Sequence, residues 1–448
     1  MKNNSLNRAL TLYGLVMIAV GSTIGSGIFR TPGSIALEVH APEYVLAVWL
    51  LGGVVALTGA LTFAEMGSMF PGAGGLYVYL RAAYGDVFGF LYGWFILFVS
   101  TAGSIAALSM VCAEHLLYCL GRGDAGAVKL PLSLGIIGLL TVINLFGVKI
   151  GEWMANLFTG AKLLGLLLIV LAAVFFHNGN IEVANGASVL IASPPPNLWS
   201  AFAAAFVGVL WSYGGWHHAS FMAGETINPQ RNIPRAMILG AGIVTVVYVS
   251  VNLAYMRLLP FDTIANSQTV AADALQTVTP WGGQLMAFLI ALSTFGTTGI
   301  YCMTAPRIYY AMANDGIFFK KLAETHSKWK TPVWAMLIQS GWAMVLLIFW
   351  GTFESLITYV TFMDFAAMMM VGTGIFLLRK KMRDTPRGYR TFAYPLTPLL
   401  FIGICLWFVV FTVVQEPVRA GAGLLVGLAG WVVYHFYFRR RDGEEKDG

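Results

Sequence analysis

An all-α integral membrane protein of about twelve transmembrane helices, ten of them arranged as two inverted repeats of five, is the fold the sequence predicts. Three observations carry this. Of 448 residues 58% are hydrophobic and only 11% charged, whereas a soluble domain spends about a quarter of its residues on charge, so no sizeable water-soluble domain fits. Twelve apolar runs can be read at 12–36, 43–69, 87–119, 131–148, 154–176, 199–222, 234–256, 281–305, 333–351, 355–378, 393–415 and 420–438, each near or above the roughly 20 residues needed to cross a bilayer. Runs such as 163–176 are apolar on every face, which fits a lipid-embedded helix and not the alternation of a membrane β-barrel. Finally, glycine clusters interrupt the first and the sixth runs, five helices apart, as an inverted repeat requires.

The order of elements follows. Residues 1–11 form a cytoplasmic N-terminus, 12–176 a first repeat, 199–378 a second, 393–438 two further helices and 439–448 a cytoplasmic C-terminus. Lys and Arg set the orientation. With both termini inside, 21 of the 27 fall on the cytoplasmic side, five (Arg30, Arg122, Lys129, Arg257 and Arg419) on or near the outer side, and Lys162 within a helix. The surplus of +6 is therefore an orientation signal facing an anionic inner leaflet, and no nucleic-acid partner is implied. The basic start followed by apolar residues resembles a secretion signal, but the run continues past its glycines and the even topology needs it as a helix.

Little in the chain points to enzyme chemistry. Cys112, Cys119, Cys302 and Cys405 all lie in or at the end of apolar runs and have no metal-site spacing. His217 and His218 are adjacent, and successive helical residues point about 100° apart, so a shared ligand is not expected. No nucleophile, base and acid constellation is visible, and no cofactor or metal is expected.

The first break reads Gly21-Ser22-Thr23-Ile24-Gly25-Ser26-Gly27, and the sixth run carries Trp211-Ser212-Tyr213-Gly214-Gly215-Trp216. Poor helix formers at membrane depth either allow close helix packing or unwind and free backbone groups to line a cavity. The pairing of the two breaks favours the second reading. Half-helix N-termini suit a carboxylate and freed carbonyls an ammonium, so the predicted cargo is a zwitterion, an α-amino acid. Lys162 either snorkels to the interface or places its ammonium against carbonyls of the first break and hydroxyls of Ser293, Thr294 and Thr297, in the manner of a coupling cation. Glu65, ending the second run, is either an inner-gate carboxylate paired with a cytoplasmic arginine or an interfacial acid. Asp364 and Glu114 carry no assigned role. The pocket wall of Trp211, Tyr213, Trp216 and small residues has no evident acid, which favours a neutral side chain; a dibasic amine would want a buried carboxylate or stacked aromatic faces.

Several stretches, in order, resemble the amino acid-polyamine-organocation transporters, and within them a bacterial relative of the L-type amino acid transporters. They are Gly25-Ser26-Gly27-Ile28-Phe29, Ala64-Glu65-Met66-Gly67 through Pro71-Gly72-Ala73-Gly74-Gly75, Tyr213-Gly214-Gly215-Trp216, Glu225 with Asn228-Pro229-Gln230-Arg231, and Arg307 with Ala313-Asn314-Asp315-Gly316. The resemblance implies alternating access across a bacterial inner membrane. It implies that N–H groups of Ser26 and Gly27 hold the substrate carboxylate, that carbonyls of Thr23, Trp211 and Gly214 hold its ammonium, and that Trp211 closes over it. Lys162 matches a lysine that replaces sodium, implying sodium-independent exchange, with proton-coupled symport through a titrating Lys162 or antiport of cationic amino acids or amines as alternatives. The loop at 120–129 lacks the cysteine that links animal relatives to a heavy chain, so no disulfide-linked partner is expected. His217 and Thr298 stand where relatives carry Asn.

Overall fold

The structure, a computed structural model, describes residues 6–122, 126–176, 197–349, 353–415 and 417–438. Part of the N-terminus and the whole C-terminus of the predicted layout, with Lys2, Arg439, Arg440, Arg441 and Lys446, lie outside the described residues. The first apolar run is two helices, α1 (Leu12–Thr23) and α2 (Gly27–Val39), separated by three non-helical residues. A continuous α3 (Pro42–Met69) is followed by a short α4 (Leu76–Tyr84). The third span is α5 (Asp86–Phe95) and α6 (Thr101–Cys119), joined through a π-helical turn at Ile96–Ser100. Then come α7 (Gly126–Leu145) and α8 (Val148–Phe175).

The sixth run is α9 (Leu198–Tyr213), a turn, and the single turn α10 (His218–Phe221). Beyond it lie α11 (Pro229–Leu258), the short α12 (Phe261–Asn266) and α13 (Val270–Gln276), α14 (Gly282–Thr304) and α15 (Pro306–Asn314). The chain finishes with α16 (Val333–Phe349), α17 (Phe353–Lys381), α18 (Leu396–Gln415) and α19 (Pro417–Val433). Ten helical spans among the described residues are long and apolar enough to cross a membrane, and two shorter apolar helices, α9 and α16, stand in the sixth and ninth places.

Differences from the hydropathy reading have simple causes. The seventh helix starts five residues before the apolar run does, because Pro229 occupies its first turn, where a missing N–H costs nothing. Hydropathy marks the lipid-facing stretch of a helix and not its ends. The four short helices α4, α12, α13 and α15 were not foreseen because each is too short to register as an apolar run.

Two packed groups organise the interior. The first comprises α1, α2, α3, α9 and α11; the second comprises α6, α7, α14 and α16. Helix α8 bridges them, touching α1 and α11 on one side and α14 on the other, while α17 packs against α3, α4, α6 and α9. Both helix breaks belong to the first group.

Candidate functional site

Unwinding at Ile24, Gly25 and Ser26 releases carbonyls that a continuous helix would have used, and side chains from other helices take up all five. The Gly21 carbonyl accepts from Lys162 Nζ at 3.0 Å and Thr297 Oγ1 at 2.9 Å. That of Ser22 accepts from the Tyr301 hydroxyl at 3.2 Å, and that of Thr23 from the Tyr248 hydroxyl at 3.1 Å. Ile24 O receives Lys162 Nζ at 2.6 Å and Thr297 Oγ1 at 3.0 Å, and Gly25 O receives Ser293 Oγ at 3.1 Å. The donors are treated in the opposite way. Among the described residues nothing accepts from the N–H groups of Ser26, Gly27 or Ile28, and the buried Ser26 hydroxyl is unpartnered. With acceptors filled and donors open at the positive end of α2, the segment is set for an anion.

Lys162 is buried, and its ammonium sits among Gly21 O, Ile24 O, Ser293 O at 3.1 Å and Thr297 Oγ1 at 2.8 Å. A shell of oxygen acceptors suits three N–H donors, and it leaves no length for snorkelling. Two details differ from the sequence reading. Ser293 meets the ammonium through its carbonyl while its hydroxyl caps the break, and Thr294 bonds back to its own helix at Ile290 O.

The sixth run breaks where Gly215 adopts φ 125°, a conformation open to glycine. A β-carbon there would lie 2.5 Å from Ser22 O, so the two breaks touch backbone to backbone, tied by the Ser22 hydroxyl donating to Gly215 O at 2.9 Å. The Gly214 carbonyl receives no donor among the described residues. Beside this break lies a cavity of about 20 Å³ bounded by Trp211 and Gly214, by Ser100 and Ser104 of the third span, by Tyr301 and by Thr361. That is room for about one water, so the site is closed in this conformation.

The structure revises the predicted wall. Of the expected aromatics only Trp211 faces this cavity. Tyr213 turns away to donate to Trp49 O at 3.0 Å, and Trp216 packs on Phe63 at a ring separation of 5.3 Å. Beyond a break the 100° helical step no longer predicts direction. For the same reason His217 and His218, expected to diverge, both line the cavity with rings 4.9 Å apart. The wall also holds an acid: Asp364 lines it, accepting from Ser100 Oγ at 2.7 Å. The absence of an acid, the ground for expecting a neutral cargo, therefore does not hold. Thr23, Ser26 and Gly27 are not part of this cavity, which adjoins their segment through Tyr301 and Gly215.

Sequence reasoning missed Tyr248 and Tyr301. Each is a phenol on an apolar helix, a pattern that more often means packing.

At the end carrying most of the basic residues, Glu65 is fully buried and accepts from Arg379 Nη2 at 2.6 Å, Arg379 Nε at 2.9 Å and the Thr391 N–H at 2.7 Å, with Arg387 Nε in ion-pair contact at 3.2 Å. Glu225 and Arg307 form a second buried pair at 2.7 and 3.0 Å. The segment at Ala9 and Leu10 donates to Glu225 O. Beside them Asp315 binds the Tyr77 hydroxyl at 2.8 Å and Arg81 at 2.7 Å, and burial together with that carboxylate holds the Tyr77 phenol above its ordinary pKa. Tyr77 and the motif residues Glu225, Arg307 and Asp315 are thus drawn into buried or half-buried pairs at one end of the bundle. Glu65→Gln, which takes the opposing charge from Arg379 while Arg387 keeps its carbonyl partners, is expected to cost roughly 2 kcal/mol, read as a lower thermal midpoint in detergent; an unchanged midpoint would mean the cluster adds nothing to stability.

The sequence profile described as amino acid permease matches residues 10–434. The chain belongs to the amino acid permease family. The permease is 30% identical to the serine/threonine exchanger SteT of Bacillus subtilis (strain 168), over 98% of this chain and 99% of that one. It is 28% identical to the mouse b(0,+)-type amino acid transporter 1, over 98% and 89% of the two chains. It is also 30% identical to the rat large neutral amino acids transporter small subunit 2, over 96% and 80%. The protein is thus a multi-pass membrane transporter of the amino acid class, not an enzyme.

Proposed function

We propose that this permease exchanges L-amino acids across a bacterial inner membrane by alternating access, without sodium, and with both termini in the cytoplasm. The observation that carries the reading is the asymmetry of the first break: its carbonyls are all engaged and its N–H groups at Ser26, Gly27 and Ile28 are open. The open donors receive the substrate carboxylate. The ammonium goes to the Gly214 carbonyl, which receives no donor among the described residues, with Trp211 O, which accepts from the Gly214 N–H, and Thr23 O, which accepts from the Gly25 N–H and the Tyr248 hydroxyl, completing its shell. The relatives named as exchangers and transporters support the cycle.

Sodium independence is supported by Lys162, which fills a cation's place with a fixed charge. A coupling ion must leave on each turnover; a tethered ammonium does not. The same oxygen shell argues against proton symport through Lys162, since a neutral amine keeps two N–H donors for the three carbonyls of Gly21, Ile24 and Ser293 and gives up one of those bonds. In this state the ion-paired end and the closed cavity correspond to an occluded carrier. The Glu65 cluster serves as the inner gate, Trp211 as the cover over the substrate, and Cys119, 3.8 Å from Gln284 O at the end of α6, takes no heavy chain.

The test is uptake of radiolabelled amino acids into proteoliposomes with and without internal amino acid. Exchange predicts uptake that requires internal substrate and is indifferent to sodium. Uptake into empty vesicles that follows an imposed proton gradient would overturn it.

A further inference from the structure

We propose that the cavity beside the sixth break is a side-chain subsite for a cation, so that the preferred cargo is an amino acid whose side chain ends in an ammonium or guanidinium. This rests on reading the two breaks as the site for the α-amino and carboxylate groups.

The cavity wall holds polar groups without partners and an acid without a cation. The Asp364 carboxylate has one bond, from Ser100 Oγ at 2.7 Å, and forms no ion pair among the described residues. His217 is 3% exposed with Nδ1 unpartnered, and Thr361 is 2% exposed with Oγ1 unpartnered. All three line the same space. A buried carboxylate without a cation is costly, as is each orphaned polar atom, and a single chain places all of them around one cavity.

Counting donors separates the cargo classes. A leucine-like side chain supplies none and would leave the wall as orphaned as before. One hydroxyl, as in serine, supplies a single donor and no charge for Asp364. An ammonium brings three and a guanidinium five, with the charge that a carboxylate prefers. The remaining wall suits a cation as well. The His218 and Tyr301 rings stack at 4.4 Å and 12°, presenting a flat aromatic surface, and Trp211 closes the other side; aromatic faces attract cations. His218 Nδ1 is held by Thr304 Oγ1 at 2.7 Å, which fixes that ring. Lys162 does not compete for Asp364, because its ammonium is bound at the first break. In the closed state the space has room for about one water, so the site must widen to admit the side chain.

Equilibrium binding of radiolabelled L-arginine, L-lysine, L-leucine and L-serine to the purified full-length protein tests this. Wild type is expected to bind arginine or lysine at least about 10-fold more tightly than leucine or serine. Asp364→Asn, close in shape, is expected to lose about 10- to 100-fold for the cationic pair while leucine binding stays within about threefold. Tightest binding of leucine or serine by wild type, or unchanged arginine and lysine affinity in Asp364→Asn, overturns the subsite and leaves the α-amino acid site standing. Binding of none of the four by wild type overturns the site itself. Should Asp364→Asn bind nothing, Thr361→Val decides: a loss confined to the cations supports the subsite, and an equal loss for all four overturns it.

Discussion

Lys162→Ala is expected to slow amino acid uptake into proteoliposomes by about 100-fold or more, at acidic, neutral and alkaline pH alike. The ammonium satisfies Gly21 O, Ile24 O and Ser293 O and bonds Thr297 Oγ1. Removing it strands acceptors that water cannot reach, at about 1–3 kcal/mol for each one left unpaired. Some are rescued, because Ile24 O also has Thr297 Oγ1 at 3.0 Å and Ser293 Oγ at 3.2 Å. A net loss of even two orphans is enough for the 100-fold, since 1.4 kcal/mol is a factor of ten. Lys162→Met keeps the apolar stem without the charge, so a matching loss in that variant assigns the effect to the ammonium and not to packing. Wild-type flux in both variants at every pH would falsify the assignment.

Gly27→Val is the second large effect, expected to abolish substrate binding. A β-carbon at Gly27 would lie 2.2 Å from Ser212 Oγ and 2.8 Å from Ser212 Cα. The hydroxyl could rotate aside; the backbone of α9 could not without moving the whole helix. Ala therefore suffers too, and Val more. The displaced part is the first turn of α2 with its open N–H groups, so the damage falls on carboxylate recognition. A thermal-shift measurement with the substrate found by the uptake panel reads it directly: wild type is stabilised by ligand, and Gly27→Val is expected not to be. Undiminished stabilisation would place the carboxylate elsewhere.

Much of this site was legible in the sequence, for identifiable reasons. A lysine in an apolar run is costly, so Lys162 announced itself, and Thr297 on an apolar helix was a natural partner. Glycine clusters marked both breaks because several poor helix formers fall together in the middle of an apolar run. Side-chain direction around the sixth break was not legible. A helix gives every residue a bearing from its neighbour, but at Gly214 and Gly215 that bearing is lost, so Tyr213 and Trp216 turned out to pack away from the cavity while His217 and His218 turned into it. Asp364 stood out as an intramembrane charge but had no assigned role, since its meeting with Ser100 spans 264 residues of chain. The engagement of the break's carbonyls by Tyr248 and Tyr301 was equally beyond reach. No local pattern distinguishes a phenol that caps another helix from one that merely fills space.

Tyr248 has a mechanical consequence. Its hydroxyl lies 3.1 Å from Thr23 O and 2.9 Å from Ser212 O, one on each interrupted helix, so a single phenol pins both to α11. Lys162, Ser293 and Thr297 grip the same segment from the opposite side. In the exchange cycle proposed above, the two broken helices would then act as one lever arm, with the unwound residues 24–26 as its bearing. Such a carrier would turn about its cargo, and the cargo would stay at the fulcrum throughout the stroke.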